Sequence, residues 1–235
     1  RHGRPVVGSI SQNYKVSDPS GQPNPRNFTP LSEHLSLPSL SNLAFAAWDI
    51  TPENAYESAK NAGVLSPQDL EMVREDLEAV EPMPGVFISD YVRRLDPSYV
   101  KKGQSRSQWV DALRADIREQ KAKHGTDRAV MVWCASTERF LDPEPVHQSL
   151  AAFEQGLADN DLSIAPSQMY AYAALMEGVP MANGAPNLTL EIPALQELAL
   201  QQGLPIAGKD FKTGQTFMKT LLAPGLKAKL LGVQG

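Results

Sequence analysis

Strand-length apolar runs alternate along this chain with stretches of helical periodicity, and that alternation limits the fold more than any other feature. Val6-Val7-Gly8-Ser9-Ile10 reads as a short strand running into a polar loop that lasts to Pro30. Leu43-Ala44-Phe45-Ala46-Ala47-Trp48 is apolar throughout, the pattern of a strand covered on both faces, with Asp49 at its exit. Thr51-Pro52-Glu53 then opens a helix with a cap residue and an early proline. Ser66-Pro67-Gln68-Asp69 repeats the device ahead of Leu70, Val73, Leu77 and Val80, which take core-facing helical spacing. A charged amphipathic helix over 107–124, with Val110, Leu113 and Ile117 on one face, leads through Gly125 to a strand over 129–133. Helices around 147–157 and 167–177 precede an extended stretch over 179–185. Beyond it, 192–202 reads as helix, 204–208 as strand and 214–222 as helix. The prediction is an α/β fold with a doubly wound, mostly parallel sheet, in which ligands bind beyond the carboxyl ends of the strands.

Composition excludes some partners. The formal net charge is −5, and a broad nucleic-acid surface would have to neutralise many phosphates, so nucleic acid is not an expected partner. No apolar run approaches the length of a membrane span, and no membrane association is expected. A small anionic substrate stays compatible, because a few cations or one helix N-terminus can hold it. The single Cys134 has no partner for an internal disulfide, which suits a reducing cytosol. Set between Trp133 and Ala135, it reads as a small buried residue rather than a nucleophile. His2, His34, His124 and His147 show no metal-ligand spacing, and no residue is assigned to a metal.

The strand exits carry unusual residues: Trp48-Asp49-Ile50, then Trp133-Cys134-Ala135-Ser136-Thr137-Glu138-Arg139, then Asn183-Gly184-Ala185-Pro186-Asn187, and last Gly208-Lys209-Asp210-Phe211-Lys212-Thr213-Gly214-Gln215-Thr216. Their order, with Ile164-Ala165-Pro166-Ser167 and Glu177-Gly178-Val179-Pro180 between them, resembles the myo-inositol-phosphate synthase (inositol-3-phosphate synthase) family over nearly all of 7–219. That resemblance implies a Rossmann-like NAD domain over 1–205, its first glycine-rich unit absent, and over 206–235 the start of an α+β domain for catalysis and tetramer assembly. It implies a cytoplasmic enzyme that isomerises D-glucose 6-phosphate to 1D-myo-inositol 3-phosphate without net redox change. NAD oxidises the C5 hydroxyl, a proton leaves C6, the ring closes by aldol addition onto C1, and the same NADH reduces the product ketone. A homotetramer and an activating monovalent or divalent cation are further implications of the family.

Such a cycle needs cations and acid/base groups at fixed places in a dry site. Lys212 matches the lysine of the family pattern Asp-Phe/Leu-Lys-Ser-Gly-Gln-Thr and is the first candidate for catalysis. Its ammonium could polarise a ketone oxygen or exchange protons with a hydroxyl. Asp210, two residues earlier, would share a side with Lys212 on an extended strand end and could orient it. Lys219, one turn on, resembles another active-site lysine of the family. Thr213-Gly214-Gln215-Thr216 would open a helix whose free amides and dipole bind the substrate phosphate, although an ordinary capped helix start has the same appearance. For the cofactor, the resemblance points to Asp49, Ala135, Ser136, Thr137, Gly184 and Ala185. Lys209, Ser136 and Ala185 depart from the family's usual aspartate, asparagine and serine. The first departure weakens a cation site built on that acid, and the last removes a side-chain hydroxyl. Glu138 and Arg139 are expected to pair with each other or to cap the next helix.

The glycine-rich cofactor turn is expected ahead of Val6 and lies outside these 235 residues, so the chain reads as an internal piece lacking both ends of the enzyme. The rival expectations are a catalytically silent binding or assembly piece and another NAD-dependent oxidoreductase on a similar fold. The second is disfavoured because generic dehydrogenases do not share the 212–216 segment in this order.

Overall fold

The structure, a computed structural model, describes residues 15–17, 28–39, 42–211 and 214–231, with the helical backbone alone over 214–217. The sequence-predicted strand at Val6–Ile10 lies outside them. Two compact units divide the chain at Phe45/Ala46. In the first, β1 (Lys15–Ser17) pairs antiparallel with β2 (Phe28–Pro30), and a single turn of helix, α1 (Leu31–His34), follows.

The second unit opens with β3 (Ala47–Asp49), which pairs in parallel with β4 (Pro82–Pro84) from Ala47↔Pro82 to Asp49↔Pro84. This strand is shorter than the apolar run suggested. The ladder spans only Ala47 to Asp49, and Leu43 to Ala46 stay exposed outside it. Three short helices connect the pair: α2 (Ala55–Ala62), α3 (Pro67–Met72) and α4 (Arg74–Glu78). The first begins later than Thr51-Pro52 predicted. Thr51 is engaged with Asp49, and Asn54 forms the capping box with Glu57 instead. Ser66 does cap α3, accepting from Asp69 N at 3.1 Å. The helix then breaks at Val73, so of its predicted core positions only Leu70 is buried.

The long amphipathic helix is α5 (Arg106–Lys123), capped by Ser105 and burying Val110, Leu113 and Ile117 as its spacing required. It feeds β5 (Met131–Trp133). A 3-10 turn at Pro145–His147, α6 (Leu150–Ala158) and α7 (Pro166–Met176) follow, then β6 (Met181–Asn183), α8 (Pro193–Gln202), β7 (Ile206–Ala207) and α9 (Gly214–Ala228). Strands β5, β6 and β7 lie side by side in parallel, with Met131 opposite Met181 and Met181 opposite Ile206. The fold is therefore α/β with parallel sheets, as predicted; among the described residues the parallel strands form two ladders, β3-β4 and β5-β6-β7.

Helix α7 is the centre of this unit. Apart from Ser167 and Gln168 in its first turn it is largely apolar all round, as a helix enclosed by other elements must be, and residues 166–175 are all buried. It packs against α5 and α8. Its Tyr170 ring lies between Trp48 of β3 and Trp133 of β5, edge-on to both, with centroids 5.4 and 5.2 Å away. The Tyr170 hydroxyl accepts from Val86 N at 2.9 Å, tying α7 to the loop after β4. Glu177, at the end of α7, receives Arg114 and Arg118 of α5, each at 2.7 Å. One aromatic side chain thus holds both parallel ladders to a single helix and brings their carboxyl ends to the same unit.

Candidate functional site

The exits of β5, β6 and β7 are stitched by backbone hydrogen bonds. Gly184 N donates to Trp133 O at 2.8 Å, and Phe211 N donates to Gly184 O at 3.1 Å. Gly184 is glycine because Phe211 lies across it: a Cβ there would run into the Phe211 ring. Ala185 is buried, and its N–H donates to Asn183 Oδ1 at 3.0 Å. The backbone donors of both residues are therefore already used, and what they can offer a ligand is shape.

The loop after β5 has the opposite character. Cys134, Ala135, Ser136 and Thr137 are exposed, and neither hydroxyl has a hydrogen bond among the described residues. Cys134 is thus not the buried residue its apolar neighbours predicted, because β5 ends at Trp133 and the loop turns outward there. Asp49, at the exit of β3, accepts from Ile50 N at 2.6 Å, Thr51 N at 3.2 Å and Thr51 Oγ1 at 3.3 Å. All three reach Oδ1, so Oδ2 has no hydrogen-bond partner among the described residues. Trp133 Nε1 and Asn187 Nδ2 are buried donors without a partner among them. Hydroxyls after β5, one carboxylate oxygen after β3 and unsatisfied donors on Trp133 and Asn187 form a donor and acceptor set that suits an oxygen-rich dinucleotide such as NAD.

Asp210 is exposed and takes a left-handed backbone, φ 67°, which aspartate tolerates better than most residues. Because β7 ends at Ala207, the extended-strand argument for Asp210 and Lys212 sharing a side does not apply. Lys209, in place of the family's aspartate, pairs with Glu191 at 3.3 Å. Lys212 and Thr213 lie outside the described residues. Gly214, Gln215 and Thr216 form the opening of α9, as the sequence predicted, and Lys219 is exposed on that helix. The side chains of the phosphate tetrapeptide are outside the description, whereas its helix-entrance backbone is within it.

Sequence reasoning missed the buried hub beneath these loops. Glu138 does not pair with Arg139, whose guanidinium sits over the Tyr91 ring. Its carboxylate caps α7, accepting from Ser167 N at 2.8 Å and Ser167 Oγ at 2.5 Å. Burial pushes the Glu138 carboxyl up to about 7, against the lowering effect of those two bonds. His147 is buried, accepts from Glu144 N at 2.9 Å and bonds Gln168 Oε1 at 3.2 Å, so it donates from Nε2. One signal pointed to this hub: Ala165-Pro166 opens a buried helix with no side-chain cap, so an acceptor had to come from elsewhere.

Comparison with known proteins decides the family. The family model for myo-inositol-1-phosphate synthase matches residues 4–231. The chain belongs to the myo-inositol-1-phosphate synthase family. Among its relatives, inositol-3-phosphate synthase 1 of Bacteroides thetaiotaomicron is 45% identical over 206 residues, covering 87% of this chain and 48% of that protein. The human inositol-3-phosphate synthase 1 is 33% identical over 220 residues, 92% of this chain and 39% of that protein. The crystal structure of inositol-3-phosphate synthase from Caenorhabditis elegans superposes with a TM-score of 0.81 at 28% identity, over 93% of this chain and 45% of that one. The chain thus spans about half or less of the length of these family members.

Proposed function

We propose that the whole protein carrying this chain is an inositol-3-phosphate synthase that isomerises glucose 6-phosphate, and that residues 1–205 contribute to its NAD domain while 206–235 begin its catalytic and assembly domain. The observation that carries this reading is the stitched edge Trp133–Gly184–Phe211, which sets the proposed cofactor loops directly beside the residue preceding Lys212.

Asp49 would hold adenosine hydroxyls through its unused oxygen, and Ser136 and Thr137, on the exposed loop after β5, would hold the nicotinamide end. Gly184 and Ala185 would shape the floor. Bound beside these residues, NAD would supply reversible hydride transfer to and from the sugar carbon. The amides at the opening of α9 would hold the phosphate, which leaves the sugar carbons near Lys212. There the ammonium would stabilise the enolate and alkoxide oxygens, with Asp210 and Lys219 as nearby acid/base and charge partners. Lys209 is engaged with Glu191, so a cation site built around the family's second aspartate is not supported by this chain.

No helix among the described residues is long and apolar enough to cross a membrane, and a cytoplasmic homotetramer is the assembly this reading carries. Incubating the whole protein with glucose 6-phosphate and a trace of NAD should yield inositol phosphate in many-fold excess over cofactor, with no accumulation of NADH. Stoichiometric NADH formation would instead indicate a net oxidoreductase and overturn the isomerase reading.

A further inference from the structure

Glu138 joins the loop after β5, the start of α7 and the loop after β6. Its side chain belongs to a residue only 5% exposed and takes both hydrogens offered by Ser167, the second residue of α7. Ser167 Oγ lies 2.8 Å from Thr189 Oγ1, on the loop after β6. The backbone N–H of Glu138 donates to Asn187 Oδ1 at 2.9 Å, and Asn187 O accepts from Asn183 Nδ2 at 3.2 Å. Asn183 Oδ1 then receives Ala185 N.

A buried carboxylate is a costly helix cap. A serine at position 165 would serve α7 without a buried charge. Among the described residues no cation offsets that cost, since Arg139 lies over Tyr91, Lys209 pairs with Glu191, and neutral His147 faces Gln168. What the carboxylate achieves, and a local cap could not, is a fixed link between the two exit loops and the most buried helix of the unit. We propose that Glu138 is a positioning residue for the bound cofactor, holding 135–137 after β5 in register with 184–187 after β6 by tying both to the N-terminus of α7. The inference rests on reading those two loops as the NAD-binding ones.

The loop at 134–137 is exposed and makes no side-chain hydrogen bonds among the described residues, so its order depends on its two ends. Trp133 is held in the sheet at one end, and Glu138 in the hub at the other. With the carboxylate removed, that end keeps only the backbone bonds of Glu138 N to Asn187 Oδ1 and of Arg139 N to Tyr91 O. The loop then visits other conformations, and apparent affinity falls by the fraction of time spent in the competent one. The link does not depend on one charge state. In the ionised form Ser167 Oγ donates to the carboxylate. In the neutral form the carboxyl hydrogen points to Ser167 Oγ, and the serine turns its own hydrogen to Thr189. Glutamine at 138 retains the acceptor for Ser167 N and donates to Ser167 Oγ, so it should reproduce the neutral form.

The test is NAD titration of the whole protein, with folding checked by circular dichroism. Glu138→Ala should weaken NAD binding by about 10-fold or more in folded protein, while Glu138→Gln stays within about 3-fold of wild type. A folded Glu138→Ala protein with wild-type NAD affinity would reduce Glu138 to a helix cap and overturn the proposal. Should Glu138→Ala not fold, Ser167→Ala decides: it keeps the N–H at 167 and cuts the link to Thr189. A several-fold loss of NAD affinity in that variant supports the proposal, and an unchanged affinity overturns it. Wild-type protein that fails to bind NAD would remove the cofactor reading itself, an outcome visible before any variant is made.

Discussion

A single carboxylate shows how burial alters what a residue contributes. The ordinary value for a glutamate carboxyl is 4.5, and burial raises that of Glu138 to about 7. The folded state therefore holds this proton more tightly than the unfolded chain does. The associated stability is fully present below about 4.5 and is lost as pH rises through about 7, to a total of about 3 kcal/mol. Urea denaturation at pH 5 and pH 8 should show wild type losing stability toward pH 8, while Glu138→Gln loses less. Equal losses in the two proteins would mean that Glu138 does not titrate in this window. At Gly184 the constraint is steric. Gly184→Ala must push the Phe211 ring aside, and because that ring is 50% exposed the cost should be only about 1 kcal/mol. In a Phe211→Ala background the cost should vanish, and a cost that persists there would mean that backbone crowding, not the ring, excludes a side chain.

Among the elements, α7 carries the largest share of the packing, and Tyr170 is the side chain where that share is concentrated. Tyr170→Phe keeps both tryptophan contacts and leaves the N–H of Val86 buried without its acceptor, which should lower stability by about 1–3 kcal/mol. Thermal unfolding within a few tenths of a degree of wild type would show that the hydroxyl bond contributes nothing. The existence and type of α5, α6, α7, α8 and α9, and of β5, β6 and β7, were legible in the sequence because periodicity and turn residues agree there. The run at Leu43–Trp48 misled, because its apolarity begins four residues before the ladder does and those four residues are exposed rather than covered on both faces. The polar exits were legible as places; the use of their atoms was not. Gly184 and Ala185 turn their donors inward, Asp210 leaves the extended conformation, and Glu138 reaches a helix start 29 positions away. Such pairings are set by tertiary proximity, and spacing along the chain carries no record of them.

At the scale of the whole molecule, the exits of β5, β6 and β7 are stitched together and α9 opens just beyond Phe211, and family membership points to the chemistry proposed there. Lys212 immediately follows Phe211, which is hydrogen-bonded to Gly184, and stands two positions before the first residue of α9. A cation at that point would lie over the sugar carbons while the helix entrance holds the phosphate. Removing it should leave NAD and glucose 6-phosphate bound and destabilise the oxyanionic transition states of enolisation and ring closure. The most direct measurement is turnover of glucose 6-phosphate to inositol phosphate by the whole protein with Lys212→Ala, alongside the binding constants of both ligands. The account predicts a folded protein that binds both and loses turnover by about 10²–10³-fold or more. Turnover within a few-fold of wild type would contradict it and return Lys212 to an ordinary solvated lysine.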